Sequence, residues 1–169
     1  RYKHVKFIIA GQGPMTEHIK HRAIELGIYS RIYFTGYVDD QVRNKLYHIS
    51  DIAVFPSLYE PFGIVALEGM AARTPVIASD TGGLREIIDH GIDGYKFEPG
   101  NPHDLADNIV NLLHNPKTGM QFAQKGYEKV STLFNWSEIA KQTLKLYEKV
   151  LYQHGSCNFF ESENKTEEK

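Results

Sequence analysis

The sequence predicts an α/β fold, a Rossmann-like parallel sheet with helices on both faces. Three observations carry that prediction. Strand-like and helix-like runs alternate five times along the chain before it turns wholly helical. The runs VKFIIA, IAVF and PVIA are apolar throughout, as strands covered on both sides are. Glycine and proline turns follow the strands, at the end of a parallel sheet where right-handed crossovers gather the ligand-binding loops.

Each element has its own signal. Val5–Ala10 is a β-rich run closed by Gly11-Gln12-Gly13-Pro14, with proline placed to open a helix. Met15, Ile19, Ala23 and Leu26 share one helical face, and Gly27 ends that helix. RIYFTG is the second strand, and Asp39 or Asp40 caps a helix carrying Val42, Leu46 and Ile49 on one stripe. DIAVFPS is the third strand, ended by Pro56. After the loop LYEPFG a helix runs from Gly63 to Ala72, followed by the strand PVIAS. Gly82-Gly83 opens a short helix to Ile88, and GYKFEP is a fifth strand. Helices then cover Pro102–Leu113, Gly119–Leu133 and Trp136–Leu151, with Trp136 as the core anchor of the last one. The final stretch, rich in Glu, Asn, Lys and Ser, reads as a disordered tail.

Bulk properties narrow the function. A chain of 169 residues suits one domain with its own core and is short for two. A net charge of −2 gives no electrostatic reason for nucleic-acid or membrane binding. No apolar run approaches the ~20 residues of a membrane span. The single cysteine, Cys157, allows no internal disulfide and fits a reducing compartment. The eight histidines form no close ligand pattern, so no metal site is expected. The chain opens at Arg1 without methionine and heads straight into a strand, which reads as a piece of a longer protein.

The chemistry concentrates in SLYEPFG and the helix GIVALEGMAA. That helix is small or apolar almost all round, so it should be buried on most sides. Glu68 sits inside it. A buried carboxylate costs several kcal/mol unless it is hydrogen-bonded or paired. Its partner is either the hydroxyls of a ligand, such as a ribose, or an Arg or Lys of this chain. Glu60 lies in a loop stiffened by Pro56 and Pro61. Gly63 allows backbone N–H groups close to a ligand, and the helix start behind it suits a diphosphate. Glu60 then reaches toward whatever the diphosphate carries, or is a plain surface glutamate. Gly11-Gln12-Gly13 lacks the third glycine of the dinucleotide fingerprint; it is a tight turn or a place where backbone meets a ligand. Gly82-Gly83 leaves the same two readings. Arg85 and Glu86 read as a surface pair.

In this order, AGQGP, FTGYV, SDIAVFPSLYEPFGIVALEGMA, TPVIASDTGGLREII, GYKFEPGNPHDLA and FNWSEIA resemble the C-terminal domain of family 4 retaining glycosyltransferases of the GT-B fold, from about residue 4 to 150. The most specific element is Glu60 and Glu68 with seven residues between them, set in PSLYEPFG. The resemblance implies a donor-binding domain over 1–152, a tail over 153–169, and an acceptor-binding N-terminal domain elsewhere in a parent chain. It implies that Glu68 hydrogen-bonds the donor ribose and that Glu60 lies at the donor sugar as the catalytic residue. It also implies that the amides of Phe62, Gly63 and Ile64 meet sugar or phosphate, and that the backbone at Tyr37 and Val38 meets the base. Gly11 and Gly13 match a glycine loop facing the cleft.

The reaction implied is glycosyl transfer with retention, by a front-face route and without metal. The nucleotide-diphosphate sugar, a UDP-sugar by family frequency, is a substrate, so no cofactor is expected. The acceptor is left open. A cytoplasmic parent fits, at a membrane surface if its acceptor is a lipid. The basic pair that neutralises the diphosphate in the family falls before the first strand and outside this sequence. Arg73 stands where the family commonly has glycine, and Gly69 where it has alanine. A non-catalytic nucleotide-sugar-binding module is the alternative, followed by a nucleotide-sugar epimerase, which predicts no such glutamate pair, and a nicotinamide-dependent dehydrogenase, disfavoured by the incomplete fingerprint.

Overall fold

The computed structural model describes residues 4–153. The expected tail from residue 154 onward, Cys157 and Arg1 lie outside the described residues. The elements alternate as expected: β1 (Phe7–Ala10), α1 (Thr16–Glu25), β2 (Ile32–Gly36), α2 (Asp40–Ile49), β3 (Ala53–Phe55), α3 (Ile64–Ala71), β4 (Val76–Ser79), α4 (Gly82–Ile87) and β5 (Tyr95–Phe97). Three helices follow, α5 (Pro102–His114), α6 (Pro116–Leu133) and α7 (Trp136–Gln153). All strand pairs are parallel, and they fall into two ladders, β1-β2 and β3-β4-β5. The fold is α/β and Rossmann-like.

Capping explains two of the helix starts. Asp39 accepts the N–H of Val42 at 2.8 Å and opens α2. Asn101 accepts the N–H groups of His103 and Asp104, both at 3.1 Å, with Pro102 in the first turn of α5.

The core lies around β4, all four of whose residues are buried. Its side chains alternate between faces, as a strand requires. Val76 and Ala78 pack with Ala66 and Met70 of α3 and with Leu84, Ile87 and Ile88. Ile77 points the other way, to Phe97, Leu112 and Phe122. A charged cluster fastens α6 to this core. Lys129 Nζ donates to the carbonyl of Ile87 at 2.6 Å, to Asp89 at 2.8 Å and to the buried Asp93 at 2.7 Å.

Several expectations are corrected. VKFIIA is not covered on both sides: Phe7 and Ile8 are 44 % and 42 % exposed, and among the described residues β1 pairs with β2 alone. Of the face expected on α1 only Ala23 is buried. On α2, Val42 and Ile49 are exposed, and Arg43, Leu46, Tyr47 and Ser50 turn inward instead. The reason is polar: Arg43 and Tyr47 have partners on α3. Helix α3 buries Ala66, Gly69 and Met70 but leaves Ile64 and Ala71 exposed, so fewer of its sides are covered than expected. Trp136 is no core anchor: it is 86 % exposed, at the start of a helix with no buried residue. Arg85 pairs with Asp80 at 3.0 Å rather than with Glu86.

Arg73 explains itself structurally. It adopts a left-handed φ of 57°, which glycine takes without strain. Its guanidinium stacks over Tyr127 at 3.9 Å and donates to Gln124 at 2.9 Å.

Candidate functional site

The loop between β3 and α3 is shaped by contacts to the end of β4. Ser79, fully buried, donates from its hydroxyl to the carbonyl of Ser57. The Glu60 carbonyl accepts the N–H of Gly83 at 2.9 Å. The two chains meet so closely that a Cβ on Gly82 would lie 2.0 Å from the Glu60 carbonyl oxygen, and one on Gly83 would lie 2.2 Å from that of Phe62. The sequence left Gly82-Gly83 as a plain turn or as room for a ligand. The structure fills that room with the Glu60–Phe62 backbone.

Glu60 is therefore not a plain surface residue. It is half-buried, and its Oε1 accepts the N–H of Gly63 at 3.1 Å. Gly63 sits at the helix start with φ 82°, where any side chain would also strike Ile87. The first-turn amides of a helix have no partner inside it. Of these the Ala66 N–H goes to the Gly63 carbonyl at 2.9 Å, and the helix start presents the amides of Ile64 and Val65 with the positive end of the dipole. The entrance is open: the side chains of Phe62 and Ile64 are 76 % and 60 % exposed. Carboxylate, helix start and two exposed apolar side chains thus stand together.

Glu68 finds its partner within the chain. Its Oε1 lies 2.8 Å from Arg43 Nη2, and its Oε2 accepts from the Tyr47 hydroxyl at 3.5 Å. Arg43 also reaches Asp40 at 3.0 Å through Nη1. Burial, followed by the charge of Glu68, pushes the Tyr47 hydroxyl up to about 12, so it remains a donor at any ordinary pH. Of the two partners the sequence allowed, the structure shows the internal cation. The need of a half-buried carboxylate is met without a ligand, and its side chain is still 25 % exposed.

A second group of expected residues gathers at the ends of β1 and β2. Gly11 N–H donates to the Gly36 carbonyl at 2.8 Å, which joins the glycine loop to the segment entering Tyr37 and Val38. Gly13 is held in a local turn with Thr16, whose hydroxyl donates back to the Gly13 carbonyl at 2.8 Å. Tyr37 is exposed and Val38 half-buried. Asp39, which caps α2, follows directly, so α2 starts beside Tyr37 and Val38 and brings Arg43 and Tyr47 to Glu68. Sequence reasoning missed Arg43, Tyr47 and Ser79. Arg43 and Tyr47 are four residues apart on one helix face, which was a readable signal. Among the described residues no group of three or more His, Cys, Asp or Glu is placed to hold a metal ion, and no helix is long and apolar enough to cross a membrane.

The parallel α/β frame carries an acidic loop at a helix start, and the chain belongs to the glycosyl transferases group 1 family, whose model matches residues 1–129. Among its relatives is an uncharacterized glycosyltransferase of Methanocaldococcus jannaschii, 39% identical over 142 residues, 84% of this chain and 36% of that protein. The fold is shared with the sucrose-phosphate synthase of Thermosynechococcus elongatus, at TM-score 0.76 and 33% identity over 86% of this chain and 38% of that one. It is shared too with Anabaena HepE in complex with UDP-glucose, at TM-score 0.79 and 25% identity over 87% of this chain and 42% of that one. The chain spans about a third of the length of the curated relatives it matches.

Proposed function

We propose that this chain is the donor-binding domain of a retaining glycosyltransferase that takes a nucleotide-diphosphate sugar, with UDP as the favoured nucleotide. The observation that carries the reading is the helix start of α3, where the Glu60–Gly63 loop is pinned on Gly82 and Gly83 and left open at Phe62 and Ile64. A departing diphosphate gathers negative charge, and fixed amides with a helix dipole stabilise it without reorganising. The amides of Phe62 and Ile64 serve the phosphates and the sugar, and the Gly63 N–H, held by Glu60 Oε1 at 3.1 Å, joins them only once Glu60 releases it. Glu60, already oriented by Gly63, meets the donor sugar where the glycosidic bond breaks. Glu68 receives the ribose hydroxyls on the acceptor capacity that Arg43 and Tyr47 leave free. The backbone at Tyr37 and Val38 meets the base, beside Gly11 and Gly13. Transfer proceeds with retention by a front-face route, without metal or organic cofactor. The acceptor binds to an N-terminal domain of the same parent chain, which is cytoplasmic. Support for the donor class comes from family membership and from the UDP-glucose bound by HepE.

The test is a calorimetric and thermal-shift panel of UDP, GDP and ADP sugars on the full-length parent. Glu68→Ala is expected to weaken nucleoside-diphosphate binding about tenfold, the loss of one charge-assisted hydrogen-bonding group. Glu60→Ala is expected to lower turnover with binding little changed. Wild-type affinity in Glu68→Ala would remove the ribose role.

A further inference from the structure

We infer that Arg43 and Tyr47 are positioning residues for the donor, which together aim the Glu68 carboxylate at the ribose; this rests on the ribose role proposed for Glu68. A carboxylate offers about four lone-pair sites. Arg43 pairs with Oε1 at 2.8 Å and Tyr47 stands at 3.5 Å from Oε2, so each oxygen can still accept a hydroxyl. Each Arg43 contact is an ion pair through one nitrogen: Nη2 lies 2.8 Å from Glu68 Oε1 and Nη1 lies 3.0 Å from Asp40. A guanidinium that meets the carboxylate through one nitrogen holds it by charge without consuming its acceptor edge, which a bidentate fork would do. Arg43 Nε is buried and has no partner among the described residues, a cost the fold tolerates at this place.

The clamp is also anchored where it would need to be. Tyr47 packs edge-on against Phe55 of β3 at 6.1 Å, and its carbonyl accepts the Thr74 hydroxyl at 2.8 Å. Arg43 lies one turn into a helix whose cap, Asp39, follows Tyr37 and Val38 directly. The side chains that hold the ribose glutamate thus stand on the helix that directly follows the backbone proposed to meet the base.

The full-length parent is titrated with UDP and with 2′,3′-dideoxy-UDP, or with the ADP or GDP pair if that nucleotide binds instead. Wild type is expected to prefer the ribonucleotide about tenfold, and Arg43→Met and Tyr47→Phe to cut that preference to about threefold or less. Arg43→Lys restores part of it. In a Glu68→Ala background, Arg43→Met changes affinity less than about twofold, because the two act through one contact. A merely structural ion pair would move the melting temperature and leave the sugar preference intact. Full preference in Arg43→Met and Tyr47→Phe, with preference lost in Glu68→Ala, overturns the clamp alone. Tighter binding in Arg43→Met overturns it too, since Arg43 would then be competing with the donor. Preference intact in Glu68→Ala, or binding of no nucleoside diphosphate, overturns the ribose role beneath it. Should Arg43→Met fail to fold, Arg43→Lys and Tyr47→Phe carry the same comparison.

Discussion

The strands Val76–Ser79 and Phe7–Ala10 are made of similar residues and live in opposite surroundings. The first lies between two neighbours, with side chains from α3 and α4 on one face and from β5, α5 and α6 on the other, and none of its residues reaches solvent. The second has one neighbour, and two of its large apolar side chains stand at the surface. An apolar run marks a strand that avoids water in some context; the number of sides covered depends on how many elements the topology sets beside it. Within this chain the stability therefore belongs to the β3-β4-β5 half. The β1-β2 half and α7 add surface that packs little.

The sharpest way to break that contrast is to remove the charged fastening of the stable half. Asp93 is buried, and Lys129 is its cation. Lys129→Met leaves an uncompensated carboxylate and should cost about 3–5 kcal/mol, read by urea denaturation. The pH dependence gives a second measure. Burial lowers the Lys129 pKa, but its hydrogen bonds to Asp89 and Asp93 outweigh this and hold it above the usual lysine value. That contribution is complete below the unfolded lysine pKa and fades as the pH rises through the folded one. Asp89 is held below the usual carboxylate range by its hydrogen bond to Lys129. Its contribution is present above the unfolded pKa and fades as the pH falls toward the folded one. The wild type should therefore lose stability from this cluster both below about pH 4 and above about pH 10. Lys129→Met should lose both arms, and an unchanged profile would reject the cluster.

A pair of truncations sharpens the same contrast. Ile77 is fully buried between Phe97, Leu112 and Phe122. Ile77→Ala should cost about 2–5 kcal/mol, as core truncations do. Ile8→Ala, on the exposed strand, should cost less than about 1 kcal/mol, since much of that side chain already meets water. Equal losses in denaturation would mean that β1 is as covered as β4 in solution.

What could be read from the residues follows the same division. Element order and the buried strand were legible because alternation and capping are local: Asp39, the Gly-Pro turn and PVIAS each carry their signal within a few residues. The Glu60 loop was legible as a place but not as a structure. Its pinning by Gly82, Gly83 and Ser79 joins segments about twenty residues apart, and no periodicity reports such a contact. Glu68 was legible as a charge in need of a partner, though it was expected buried and is half-buried. That its partner is Arg43 depends on how α2 rotates, and of the apolar stripe Val42, Leu46 and Ile49 only Leu46 turns inward. Two inward polar residues outweighed that stripe, because leaving Glu68 unpaired costs more than exposing a valine and an isoleucine.

Trp136 gives the smallest effect and the cleanest one. A lone tryptophan at a helix start reads as an anchor, because aromatic side chains dominate core energetics when they are buried. Here the indole is 86 % exposed, and the helix behind it has no buried residue. A side chain that meets water in the folded state gains little from folding, so Trp136→Ala should change the stability of this chain by no more than about 0.5 kcal/mol. Its fluorescence supplies an internal check, as it is the only tryptophan in the sequence. An exposed indole emits as it does in water and shifts little on unfolding, since burial that could be lost is nearly absent. A blue-shifted emission in the isolated chain, or a loss above about 2 kcal/mol in Trp136→Ala, would show α7 docked and the thin half of the molecule thicker than its burial makes it.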